Sequence, residues 1–145
     1  MCHYCGCREF PLIGQLSAEH EEIAAAAARL RSAMVHGDGD PRALLADLLA
    51  VLIPHIVREE HGLFAEIRTE GSLAAAVDDL SAEHDELYAL LGAIDTTVTN
   101  RPAVLAALDQ LRLHIDNEEY GLFPASAIAL PIEMWDRLTP QAATA

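Results

Sequence analysis

Along this chain no alternation of apolar and polar residues persists long enough to make a strand, and runs of β-branched residues are few. Ala and Leu dominate instead, in long amphipathic stretches separated by short polar breaks. His36-Gly-Asp-Gly-Asp40 reads as a turn, and Asp40-Pro41 supplies an N-cap followed by proline at the first helical position. Arg68-Thr-Glu-Gly-Ser72 is a second break, and Thr99-Asn-Arg-Pro102 a third that again sets proline just inside a helix start. The breaks predict four helices over roughly 12–35, 41–67, 73–97 and 101–128, with a short fifth near Pro131–Leu138. Short connections between long helices make neighbours antiparallel. The expected fold is therefore all-α, an up-down-up-down four-helix bundle with a short C-terminal helix.

The sequence also repeats itself. Leu16-Ser-Ala-Glu-His20 returns as Leu80-Ser-Ala-Glu-His84, each copy followed by an acidic pair and an apolar residue. His55-Ile-Val-Arg-Glu-Glu-His-Gly-Leu-Phe64 returns as His114-Ile-Asp-Asn-Glu-Glu-Tyr-Gly-Leu-Phe123. Each half of the chain is thus a similar helical hairpin, and two hairpins packed together give approximate two-fold symmetry.

This repeat carries chemistry. His55 and Glu59 lie four apart, as do His114 and Glu118, so each pair shares one helix face about a turn apart. His20 and His84 occupy matching places on the first helix of each hairpin. If these faces point inward, four imidazoles and two carboxylates meet on the bundle axis. Buried carboxylates without partners cost far too much, and a metal centre resolves the difficulty. Imidazole with carboxylate suits iron, zinc or manganese, and two bridging carboxylates suit a pair of ions better than one. Read singly, each His–Glu pair is more often an ordinary exposed helix pair; the coincidence of two pairs with two Leu-Ser-Ala-Glu-His copies carries the metal reading.

Other residues are less telling. His61 aligns with Tyr120, two residues and roughly 200° around the helix from Glu59, and His36 lies in a turn; both are expected at the surface. Glu60 and Glu119, beside the ligands, are expected to be solvated or to support a ligand from behind. Phe64 and Phe123 are expected in the core, where they also keep water from the site. Cys2, Cys5 and Cys7, with His3 among them, have the density of a redox or soft-metal cluster; reversible disulfide formation, metal delivery, a zinc site completed by a second chain, or a tail of little consequence all stay open.

The order His, His-xxx-Glu, His, His-xxx-Glu, with the strings ending Leu-Phe at 64 and Leu-Phe-Pro at 124, resembles the haemerythrin-like, or HHE cation-binding, family over roughly residues 12–137. The resemblance implies two non-haem iron ions bridged by carboxylates and an oxo group. His20 and His55 would serve one iron, His84 and His114 the other, and Glu59 and Glu118 would bridge. Two departures from the oxygen-carrying haemerythrins stand out. Those proteins have a second His one turn after the first on the third helix, where this chain has Tyr88, and a His-xxxx-Asp on the last helix, where it has His-xxx-Glu. The loss of a neutral ligand argues against reversible oxygen carriage and leaves iron open to peroxide, dioxygen or nitric oxide. Tyr88 can ligate as a phenolate, donate a hydrogen bond from behind, or pack. Ala24 matches it in the first hairpin, within a run of alanines to Ala28 that can bring helices close or leave room for a diatomic ligand. The implied activity is catalase- or peroxidase-like, in oxidative-stress defence. An oxygen or nitric oxide sensor, an iron store and a zinc-stabilised interaction module are the rival readings.

Composition narrows the partners. With 9 Lys+Arg against 23 Asp+Glu, the net charge of −14 disfavours nucleic acid and anionic membrane. All of its 3 cysteines fall within the first seven residues, so no disulfides staple the core. No apolar run suits a secretory signal or a membrane span, and the expected location is the cytoplasm. The expected organisation is a Cys-rich tail over 1–11, the bundle over 12–138 and a short tail over 139–145, with the oligomeric state left open.

Overall fold

The computed structural model describes residues 6, 9–94 and 100–138; Cys2, Cys5 and Cys7 lie outside them. Among the described residues there are helices and no strands. The helices are α1 (Pro11–His36), α2 (Pro41–His61), α3 (Leu63–Glu70), α4 (Ala74–Gly92), α5 (Arg101–Asn117), α6 (Phe123–Ala129) and α7 (Ile132–Arg137), with a π-helical turn at Glu118–Leu122 joining α5 to α6. They make four rods: α1, α2 with α3, α4, and α5 running through the π turn into α6. The rods pack in a ring, α1 against α2 and α5, and α4 against α3 and α5.

Local chemistry sets the rod ends. The Asp40 carboxylate accepts from the Arg42 N–H at 3.1 Å, and Pro41 opens α2 at no cost in hydrogen bonds. Gly37 and Gly71 close α1 and α3 in the left-handed region, at φ 75° and 98°, where their N–H groups return to the carbonyls of Ala33 and Ile67.

The core falls into two apolar clusters, and their membership gives the topology. One gathers Leu12, Leu16 and Leu80 from the starts of the first and third rods with Phe64, Ile67 and Phe123 from the ends of the second and fourth. The other gathers Leu30 and Leu91 from the ends of the odd rods with Leu48, Leu52 and Val104 from the starts of the even ones. Starts therefore meet ends, and neighbouring rods are antiparallel. At the first cluster α7 adds Met134 and Trp135, and Phe10 lies against Trp135 with ring centroids 4.4 Å apart. Between the clusters lies a band of buried polar residues.

Two expected helices are interrupted. The expected continuous helix over 41–67 breaks at Gly62 (φ −104°, ψ −96°), whose N–H still reaches the Arg58 carbonyl. The expected continuous helix over 101–128 widens at 118–122, where the Phe123 N–H bonds the Glu118 carbonyl five residues back. Pro124 is the physical reason for the second: it has no N–H to return to the turn before it, and its ring crowds that turn's carbonyl. A π turn in mid-helix is a common companion of a functional site. None of the described helices is long and apolar enough to cross a membrane.

Candidate metal centre

His20, His55, Glu59, His84, His114 and Glu118 all lie in the polar band and are each at most 3% exposed. Their donor atoms fall into two groups of four, His20, His55, Glu59 and Glu118, and His84, His114, Glu59 and Glu118, with the atoms of each group within 4.8 Å of one another. The two carboxylates belong to both groups. Each group also pairs two imidazoles with ring centroids 4.6 Å apart.

The Nε2 atoms converge on the shared carboxylates. His55 Nε2 is 2.8 Å from Glu59 Oε1 and His84 Nε2 3.1 Å from Glu59 Oε2. His20 Nε2 and His114 Nε2 are each 3.1 Å from Glu118 Oε1. Yet His55 Nε2, His84 Nε2, His114 Nε2, both Glu59 oxygens and Glu118 Oε2 are buried with no aligned hydrogen-bond partner. Six orphaned donor atoms in the middle of a well-packed bundle are costly unless something binds them. A cation in each group would satisfy all six, and an all-nitrogen-and-oxygen donor set fits iron, manganese or zinc.

Behind each imidazole stands another carboxylate. Nδ1–H of His20 donates to Glu119 at 2.9 Å and that of His55 to Glu19 at 2.8 Å. Those of His84 and His114 donate to Glu60 and Glu83, both at 2.7 Å. Such a bond fixes the ring and turns the Nε2 lone pair inward, the usual arrangement behind a metal-bound histidine. The supports are themselves held. Ser17 donates to Glu119 at 3.1 Å and Ser81 to Glu60 at 3.0 Å. Arg58 reaches Glu19 at 2.7 Å, and the Asn117 amide donates to Glu83 at 3.2 Å. Phe123 stacks on His20 and Phe64 on His84, at centroid distances of 5.6 and 5.5 Å, closing the site toward the first cluster.

Four of the five letters of the Leu-Ser-Ala-Glu-His repeat thus have work to do; the alanines, Ala18 and Ala82, are exposed. Leu16 and Leu80 fill the core, and His20 and His84 supply Nε2. Ser17 and Ser81, three residues earlier, steady the carboxylate behind their own histidine. Glu19 and Glu83 reach sideways to the histidine of the next rod. Glu60 and Glu119 hold imidazoles, in keeping with a supporting role. Sequence reasoning passed over Glu19, Glu83, Ser17, Ser81 and Arg58, although four of these are exact repeats.

Protonation follows from this crowding. Burial lowers the His20 pKa, but hydrogen bonds to Glu118 and Glu119 and the nearby Glu59 carboxylate outweigh it and hold the imidazole well above its usual range. His55 and His84 are raised in the same way, burial opposing and Glu59 prevailing. His114 rises to about 9, because Glu118, Glu59 and Glu83 overcome its burial. Burial would raise Glu59, yet the charge of His55 and the close approach of the His20, His55 and His84 imidazoles hold it well below the carboxylate range. Without a cation, protons on the histidines balance the carboxylates.

The remaining candidates lie outside the donor groups. Tyr88 is 38% exposed, and burial followed by the charges of Glu60, Asp85 and Glu59 raises its pKa. His36 and His61 are exposed, as expected. Ala24, Ala27 and Ala28 line a groove of about 840 Å³ between α1 and α5 that also touches Ile115 and Tyr120.

No curated protein and no solved structure matches the chain. The family model described as the hemerythrin HHE cation binding domain matches residues 11–126, from the start of α1 into α6, and so spans all six histidine and glutamate donors. The chain belongs to the hemerythrin HHE cation-binding domain family, whose members bind metal.

Proposed function

We propose that this protein holds a carboxylate-bridged pair of non-haem iron ions and reacts with a small oxidant, peroxide foremost, in cytoplasmic oxidative-stress defence. The observation that carries the reading is the pair of four-donor groups sharing Glu59 and Glu118, with six of their atoms orphaned. His20 and His55 would hold one ion, His84 and His114 the other, and Glu59 and Glu118 would bridge them. The pair would supply two electrons to an oxidant and take two back, so that two peroxides become dioxygen and two waters with no further reductant.

The chain's own residues do the rest. Glu119, Glu19, Glu60 and Glu83 keep each imidazole turned toward its ion. Phe64 and Phe123 exclude bulk water from one end. Two imidazoles and two carboxylates would hold each ion, and such an ion can take a further small ligand. Dioxygen and nitric oxide are ligands of the same kind.

The test is metal analysis by mass spectrometry of protein purified without added metal, with an absorption spectrum and an oxygen-electrode assay on the same sample. About two irons per chain, near-ultraviolet absorption and oxygen evolution from peroxide are expected. Iron without peroxide turnover would make the protein a sensor or a store. A colourless protein holding zinc that does not exchange for ferrous iron would make it a structural module. Glu59→Ala and Glu118→Ala are expected to lose bound metal, and retention of both ions by both variants would remove the bridging assignment.

A further inference from the structure

The six donors and the four carboxylates behind them recur in both halves, but the groups that hold those carboxylates differ, most sharply behind His55 and His114. In the first hairpin Glu19 bonds His55 with one oxygen, and its other oxygen lies 2.7 Å from Arg58 Nη2, with the Arg58 and Glu19 side chains only 5% and 13% exposed. In the second hairpin Glu83 bonds His114, and among the described residues its other oxygen takes only the neutral amide of Asn117 at 3.2 Å, at the surface. Arg58 and Asn117 occupy the same place in the repeat, three residues after His55 and His114. The replacement is therefore a change of charge at matching places in the repeat.

A second arginine touches the set and must be weighed. Arg68 Nη1 lies 3.5 Å from Glu60, the support of His84, but its side chain is 37% exposed and also contacts Asp78 at 3.2 Å and Ser81. Solvent screening and the share taken by Asp78 leave that contact weak. The Arg58–Glu19 pair is shorter and sits where the local dielectric is low, so its field is the larger of the two.

A carboxylate behind an imidazole strengthens the Nε2 donor by drawing on the Nδ1 proton. A guanidinium bound to that carboxylate withdraws part of its charge, and it also places a full positive charge on the same side of the site. Both effects weaken cation binding by His20 and His55. Glu59 and Glu118 serve both groups, so their contribution cancels. Resting on the two-ion reading above, we infer that Arg58 makes the two cation positions unequal: the His84–His114 position fills first and the His20–His55 position second.

The test follows the imidazoles individually. Metal-free protein carrying ¹⁵N-labelled histidine is titrated with zinc, and the ring resonances are assigned with single His→Gln variants. The signals of His84 and His114 are expected to reach their bound positions within the first equivalent, and those of His20 and His55 only in the second. Asn117→Arg, a surface change, places a cation behind Glu83 and is expected to cut the preference by roughly tenfold, the scale of effects transmitted through groups behind a ligand. Arg58→Asn is expected to do the same, and Arg58→Lys to keep the order. First loading at His20 and His55, simultaneous loading in the native protein, or an order untouched by Asn117→Arg would overturn the inference. Failure of all four imidazoles to respond would overturn the two-ion reading along with it.

Discussion

Raising the pH of the metal-free protein should make it easier to unfold, and His114 allows the size of the effect to be worked out. Its imidazole titrates at about 9 in the folded chain against 6.5 when unperturbed. Below 6.5 both folded and unfolded chains carry the proton, and the stabilisation by Glu118, Glu59 and Glu83 is fully present. Between 6.5 and 9 only the folded chain keeps it, so stability falls as pH rises, and above 9 the contribution is gone. At 1.36 kcal/mol per pH unit this amounts to about 3 kcal/mol. His20, His55 and His84 are raised too and add losses of the same sign. Glu59 is depressed, so its contribution is lost only as the solution turns acid, and it stays constant through this window. For a domain of this size, 3 kcal/mol moves the melting temperature by roughly 10 °C. Thermal unfolding of chelator-treated protein, followed by circular dichroism at pH 6.5, 8 and 9.5, reads it directly. His114→Gln should flatten the slope. A melting temperature that held steady or rose across the series would refute the account of protons standing between the histidines and the carboxylates. The metal-loaded protein should show the opposite slope below pH 7.5, because cations must displace those same protons.

Other consequences can be checked one residue at a time. A Cβ at Gly62 would lie 2.7 Å from the Arg58 carbonyl oxygen, whereas one at Gly121 meets nothing within 4 Å. Gly62→Ala is therefore expected to cost about 1–3 kcal/mol in denaturant unfolding, while Gly121→Ala is neutral or stabilising by up to about 1 kcal/mol; equal effects would contradict the difference between the two rods. Phe123→Ala removes the fully buried ring over His20 and should cost about 3–5 kcal/mol, together with weaker metal retention on dialysis. Tyr88→Phe should leave metal content and the absorption spectrum unchanged, and loss of a long-wavelength band would make the phenol a ligand after all.

The rods were legible because Asp40-Pro41, Gly71 and Pro102 punctuate the chain where rods begin and end. The six donors were legible because the repeat sets them at matched places and one turn apart. Two features were not. His-Gly-Leu-Phe and Tyr-Gly-Leu-Phe look alike in sequence, yet one becomes a break at Gly62 and the other a π turn. The difference lies one residue further on, in Pro124 against Ala65, and a hydrophobic pattern that continues through both gives no sign of it. Glu19 and Glu83 escaped for another reason. Each sits about 100° around the helix from the neighbouring histidine, which a helix-face argument assigns to a different surface. Only the position of the adjacent rod turns that sideways direction into a hydrogen bond. The distinction between Arg58 and Asn117 was visible as letters, but not as chemistry until Glu19 lay between Arg58 and His55.

The pattern of supporting bonds makes each hairpin half of a mutual arrangement. Glu19 and Glu83 serve histidines of their own hairpin, while Glu60 and Glu119 cross to the other, and Glu59 and Glu118 each approach a histidine of both. A lone hairpin would keep two imidazoles and lose the carboxylate behind one of them, together with half of the bridge. Two copies of one hairpin, related by a two-fold axis, would restore every one of these contacts. The chain is thus built like a symmetric dimer within one polypeptide, and the places where its halves differ, Arg58 against Asn117 and Ala24 against Tyr88, leave these shared contacts in place.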